Sequence, residues 1–162
     1  NNPLPRAYVV GGVKALNDRA ELLRELVSSD FDPRQAILVE REELQDFDLA
    51  NREPGTVEHQ IEDVRYSPNR LEIDLSCARD GLLFVSDSYY PGWHAYVNGE
   101  ERAIIRANAA FRAVPVEAGE SKVVMVYRPR RFVIGAWISG ISMVLWFAAL
   151  VFPLLKRLNA HA

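Results

Sequence analysis

Thiol and imidazole chemistry have little to work with in these 162 residues, which hold one cysteine, Cys77, and three histidines, His59, His94 and His161. A single thiol excludes a disulfide framework and a thiolate zinc site. Cys77 also falls at an apolar position of an alternating stretch, which reads as a small core residue rather than a nucleophile. The histidines lie far apart, one of them in the tail, so no metal-ligand spacing arises. Also absent are a Walker loop, a G-x-G-x-x-G after a strand, a G-x-S-x-G elbow, an H-E-x-x-H pair and an N-x-S/T acceptor. Carboxylates are many, but none is paired in an apolar setting. No catalytic residue, metal or cofactor is expected. Nine glycines and nine prolines exclude collagen-like and low-complexity classes.

Charge is missing from one long run. Residues 132–155 contain no Asp, Glu, Lys or Arg. As a helix they would reach roughly 36 Å, against about 30 Å of bilayer hydrocarbon. Arg128, Arg130 and Arg131 flank one end, Lys156 and Arg157 the other, and Trp137 lies within the first two turns. A helix apolar on every side cannot be surrounded by so small a protein, so a transmembrane segment is expected over 132–155. Gly135 with Ser139, and Ala136 with Gly140, place small residues four apart. That spacing admits other transmembrane helices, though membrane helices tolerate Gly and Ser in any case. Of the 19 Lys and Arg, five lie in 128–162, which holds none of the 22 Asp and Glu; residues 1–127 are left at −8. This acidic part argues against a nucleic-acid partner. Three basic residues before the run against two after it weakly favour a cytoplasmic soluble part. The chain opens at Asn1 without an initiator methionine, as a piece cut from something longer would.

Ahead of that run the patterns are those of a folded domain. Residues 7–10 (AYVV) read as a buried strand ended by Gly11-Gly12. Asp18 with Glu21 forms a capping box for a helix whose apolar face is Leu22, Leu23, Leu26 and Val27. Residues 36–39 (AILV) read as the next strand. This strand–helix–strand unit, 1–40, cannot bury its own faces and must pack on the C-terminal remainder of the domain. Residues 41–56, acidic and ending in Glu53-Pro54-Gly55, read as a loop or linker. The period then changes to two. Leu71, Ile73, Leu75 and Cys77 alternate with polar residues, partnered by His59, Ile61, Val64 and Tyr66 with a slip near Glu62-Asp63. Strands are also expected at 82–85, 93–97, 102–106, 111–116 and 122–127, with Asn98-Gly99 as a tight hairpin turn. The fold class is mainly β: an antiparallel sandwich of about seven strands over 57–131, of immunoglobulin or jelly-roll type, with the N-terminal unit and a C-terminal transmembrane helix.

One stretch stands apart: Asp87-Ser88-Tyr89-Tyr90-Pro91-Gly92-Trp93. Tyr89, Tyr90 and Trp93 could stack on a sugar ring with Asp87 accepting its hydroxyls, sit at a membrane interface, or plug one end of the sandwich. Arg112, on a strand, reads as a salt-bridge partner, and Asn108 and Phe111 call for the same caution.

Residues 81–135 as a whole resemble the C-terminal end of the bacterial YfhO family of multi-pass membrane proteins. The resemblance rests on SDSYYPGW, RAN-x-AFRAVPV and YRP-x-x-F-x-x-G occurring in order. Upstream, DFDPRQAILVE (30–40) resembles the region before that sandwich, so the likeness covers nearly the whole chain. Ala109 departs from the bulkier residue expected there, so that side of the sandwich would pack differently. The resemblance implies a glycosyltransferase-like parent using polyprenyl-phosphate sugars, with its catalytic carboxylate in an early extracytoplasmic loop that has no counterpart here. This chain would then be a non-catalytic extracytoplasmic accessory domain and membrane anchor. It would sit in the bacterial cytoplasmic membrane with 156–162 as a cytoplasmic tail, against the weak charge count. Its partners would be the lipid bilayer, neighbouring helices and a glycan. The alternative is an anchored binding or structural domain with no enzyme attached.

Overall fold

The computed structural model describes residues 3–44 and 54–159; in the final helix, side chains are described over 134–149. The elements run β1 (Ala7–Val10), β2 (Gly12–Leu16), α1 (Arg19–Leu26), β3 (Ala36–Glu40), a 3-10 turn (Arg41–Leu44), β4 (His59–Ser67), β5 (Arg70–Cys77), β6 (Gly81–Val85), β7 (Trp93–Val97), β8 (Glu100–Arg102), β9 (Ile105–Ala107), β10 (Phe111–Val116), β11 (Gly119–Tyr127) and α2 (Arg130–Asn159). Residues 1–127 form one unit and 128–162 a second.

Strict alternation builds the outer sheet of the first unit. Along β5, Leu71, Ile73, Leu75 and Cys77 are buried while Glu72, Asp74 and Ser76 face outward. This strand lies between β4 and β11 in a five-stranded sheet of order β4-β5-β11-β7-β8, antiparallel at each pairing. The expected slip in β4 is a register shift between Ile61 and Asp63. Asn98 (φ 53°) and Gly99 (φ 89°) make the β7–β8 turn with both residues left-handed, as a two-residue hairpin requires.

A four-stranded antiparallel sheet, β1-β6-β10-β9, faces it. Val9, Leu83, Val85, Val114 and Val116 point toward the five-stranded sheet and share a core with Ile73, Val123 and Met125. The alternate residues Tyr8, Val10, Leu82, Phe84 and Ala113 form a second core with Val13, Ile37, Val39 and Leu44. The middle sheet is thus apolar on both faces, which is why AYVV and GLLFV are unbroken hydrophobic runs. Helix α1 closes a third cluster through Leu22 and Leu26 against Leu16, Leu38 and Ala109. Asp18 caps it, accepting from the Glu21 N–H at 2.8 Å, while Glu21 reaches back to the Asn17 N–H at 2.9 Å.

Several expectations are corrected. The strand 7–10 belongs to the sandwich, not to the N-terminal unit; β2, parallel to β3, is the strand that precedes the helix. Gly11 is where the chain changes sheets. Its N–H donates to the Gly55 carbonyl at 2.9 Å, and a Cβ there would lie 2.7 Å from that oxygen. The run 102–106 is not one strand: β8 pairs with β7, and β9 crosses to pair with β10. The sandwich therefore has nine strands, four and five, rather than about seven. Of the expected linker 41–56, residues Arg41–Leu44 are a 3-10 turn and Thr56 bridges to Val10. Residues 45–53 lie outside the described ones.

In the second unit, α2 covers the stretch expected to span a membrane and exceeds it at both ends. Among the described residues, no helix is long and apolar enough to cross a membrane. A helix is therefore shown there, and a span is not. The described side chains over 134–149 are exposed apart from Gly140.

Asn108 joins the N-terminal layer to the sandwich. Buried at φ 49°, it accepts the Leu38 N–H on Oδ1 at 2.8 Å and gives its own N–H to the Leu38 carbonyl at 2.8 Å. Ala109 beside it (φ 69°) packs beneath α1, a small residue where a bulky one would meet Leu16 and Leu22. In a 1–127 fragment, Asn108→Gly keeps the backbone but orphans the Leu38 N–H, for an expected loss of about 1–3 kcal/mol. Asn108→Ala should lose roughly 1–2 kcal/mol more, the left-handed penalty. Urea unfolding of both variants checks the order.

Tyr8 gives a second test. Its burial pushes the hydroxyl up to about 12 from an ordinary 10.0. The folded chain keeps a proton that the unfolded chain has released, so stability should fall as pH rises from about 10 to about 12, by roughly 2–3 kcal/mol in all. Tyr8→Phe should remove that part of the alkaline loss in urea titrations.

Candidate functional site

The unusual stretch leaves β6 and returns as β7, at the end of the sandwich where β1 begins and β11 stops. Ser86 ties this exit to β1: its N–H donates to the Arg6 carbonyl at 2.9 Å. Asp87 comes next. Its Oδ1 accepts from Arg6 Nε at 2.9 Å and Nη2 at 2.6 Å, and its Oδ2 accepts from Arg112 Nη2 at 2.8 Å. One carboxylate therefore holds two guanidinium groups, one from the residue before β1 and one from β10.

Arg112 carries the site inward. On β10 it shares the inward face with Val114 and Val116, is only 2% exposed, and reaches the opposite sheet. Its guanidinium carbon lies 4.2 Å from the centroid of the Trp93 ring. Burial pulls its pKa below the ordinary value, with Asp87 opposing that shift, and the group remains a cation. Arg112 Nε and Nη1 are buried with no hydrogen-bond partner among the described residues. Such donors cost about 1–3 kcal/mol, which stacking on an aromatic face offsets by up to about 2 kcal/mol.

The rings continue outward from there. Trp93 packs on Tyr127 at 5.5 Å between centroids, and Tyr127 meets Tyr90 at 6.2 Å. Arg6 lies 4.0 Å over Tyr66. Trp93 is half-buried and packs on the sandwich core, whereas Tyr90 is 62% exposed. Tyr89 enters through its backbone, donating to the Ala110 carbonyl at 2.6 Å. Asp87, Tyr90 and Trp93 are thus brought to one end of the sandwich, joined through Arg112 and Tyr127. The reading of Arg112 as an ion-pair partner holds. Arg6, Tyr66 and Tyr127 are the members the sequence reading missed. Only Arg112 gave a signal, as a cation at an inward position of an alternating strand. Chemically the arrangement is a clamp: both Asp87 oxygens are engaged inside the protein, and the outward surface is tyrosine.

The clamp makes a ranking. Asp87→Asn leaves the buried Arg112 charge uncompensated, for an expected loss of about 3–5 kcal/mol. Arg112→Met keeps most of the stem volume, deletes the unpaired donors and leaves Asp87 with Arg6, so it should cost less than about 1.5 kcal/mol. Equal losses in denaturant unfolding would show packing, not charge, to be in control.

With this geometry in place, the relatives are informative. Residues 45–139 match the family described as "Bacterial membrane protein YfhO". Over 82 residues the chain is 28% identical to "Uncharacterized protein YfhO" of Bacillus subtilis (strain 168), covering 51% of this chain and 10% of that protein's length. No solved structure matches.

Proposed function

The chain belongs to the YfhO family of bacterial membrane proteins, and from that premise we propose that it is a non-catalytic accessory domain and membrane anchor of a polytopic parent. The supporting observation is the extent of the family match, which runs without a break from before β4, through β11, into α2. The match thus takes in β4 to β11 together with the first residues of α2. In this reading 132–155 cross the cytoplasmic membrane, 156–162 are cytoplasmic and the sandwich is extracytoplasmic. Ile134, Trp137, Ile138, Ile141, Val144 and Leu145 are all exposed, and a bilayer is the surrounding that such a surface favours. Gly135, Ala136, Ser139 and Gly140 would admit the parent's other helices.

The parent is proposed to be glycosyltransferase-like, acting in cell-envelope glycan or lipid-linked sugar transfer, with its catalytic groups elsewhere in the protein. A relative about ten times the length of the matched stretch favours such a parent over a lone anchored binding domain. Sugar contact at Asp87, Tyr89, Tyr90 and Trp93 has less support, because both Asp87 oxygens are already held by arginines.

Sidedness is testable in whole cells expressing the parent. With Cys77→Ser as background, Glu117→Cys in the β10–β11 turn should react with a membrane-impermeant thiol reagent. Labelling only after the membrane is opened would reverse the orientation.

A further inference from the structure

The two ends of the sandwich differ in chemistry. At the end where β11 starts stand the exposed acids Glu58, Asp80, Glu100, Glu117 and Glu120, around the Asn98-Gly99 and Gly119 turns, with Arg79 exposed beside them and Arg102 paired to Glu100 and Glu117. At the end where β11 stops stand Tyr66, Tyr90, Trp93 and Tyr127 with Arg6 and Arg112, and the one acid of the cluster, Asp87, is held by two arginines. The nine residues of β11 set these ends roughly 26 Å apart, well beyond the screening length of about 8 Å in physiological salt.

Only Arg128 and Pro129 separate Tyr127 from α2, a reach of at most about 11 Å between the Tyr127 and Arg130 Cα atoms. We propose that the Tyr66–Tyr90–Trp93–Tyr127 end of the sandwich is a bilayer-contact surface, seated in the lipid headgroup layer. This rests on the reading of α2 as a membrane span. Tyrosine and tryptophan suit that layer because an apolar ring and a polar edge are satisfied together. Tyr90 at 62% and Tyr66 at 45% exposure present the outermost rings. The far end keeps an excess of acids over Arg79 and Arg102, and anionic headgroups would repel that excess, so the opposite seating is disfavoured. The Asp87 clamp fixes the chain leading to Tyr90, so little freedom is lost on docking.

The test places a nitroxide at Tyr90→Cys, Glu117→Cys or Met143→Cys, each with Cys77→Ser, in this chain reconstituted in phosphatidylglycerol–phosphatidylethanolamine vesicles. Circular dichroism confirms folding, and power saturation compares accessibility to oxygen and to a water-soluble nickel complex. The expected result is a deep Met143, an aqueous Glu117, and a Tyr90 whose nickel accessibility is several-fold below that of Glu117. A Tyr90 as nickel-accessible as Glu117, with Met143 deep, overturns the surface proposal and leaves the span standing. An aqueous Met143 in the folded chain overturns both. A Tyr90 that is aqueous on vesicles but shielded by added envelope glycan transfers the surface to sugar and overturns the lipid assignment.

Discussion

Burial of the four-stranded sheet on both faces is the constraint on which the other features depend. Its outer face holds Tyr8, Val10, Leu82 and Phe84, none of which tolerates water, so the β2–α1–β3 layer is required and not ornamental. The dependence runs both ways, since that layer lacks a core of its own. Asn108 supplies the polar link between them, pairing with the Leu38 backbone where a neighbouring strand would otherwise bond. The glycine at position 11 lets β1 leave one layer and β2 enter the next within a single residue. Positions 7–10 and 81–85 must therefore be without polar residues throughout.

The other end of that logic is the Asp87 clamp. A sandwich closes at its sides by strand pairing but has open ends, and here one end is closed by charge stacked on rings. Arg112 crosses the core, Trp93 covers it, and Asp87 neutralises it. A hydrophobic plug of equal volume would be at least as stable. What the ionic version adds is direction: Arg6 just before β1, Asp87 after β6 and Arg112 on β10 are fixed relative to one another by bonds that only one arrangement satisfies.

Much of this was legible in the sequence, for reasons that can be stated. The period-two strands, the bulge near Asp63, the Asn98-Gly99 turn and the Asp18 cap each have a local physical cause, and local causes are visible in a single chain. The errors fell where the cause was non-local. Residues 102–106 look continuous, yet the chain switches sheets between Arg102 and Ile105 because each half has a different partner. Residues 12–16 (GVKAL) offer too little alternation to read as a strand, and only pairing with β3 makes them one. At the candidate site, Asp87, Tyr90 and Trp93 stood out by composition, while Arg6, Tyr66 and Tyr127 came from three places distant in the chain. Arg112 lay between these cases: an arginine on the inward face beside Val114 and Val116 demands a buried acid, but nothing local says which.

The two ends of the sandwich also bear on the proposed anchoring of this domain. Were α2 to span a membrane, as proposed, the two-residue link would hold the surface that adjoins it near lipid. An acidic surface there would be driven away from anionic headgroups, straining the connection. The chain instead leaves β11 at the aromatic and arginine end, with Arg128 and Arg130 directly after it, and keeps its exposed acids one strand length away. Short linkage and end polarity are separate observations, one covalent and one chemical, and each supports the proposed bilayer contact.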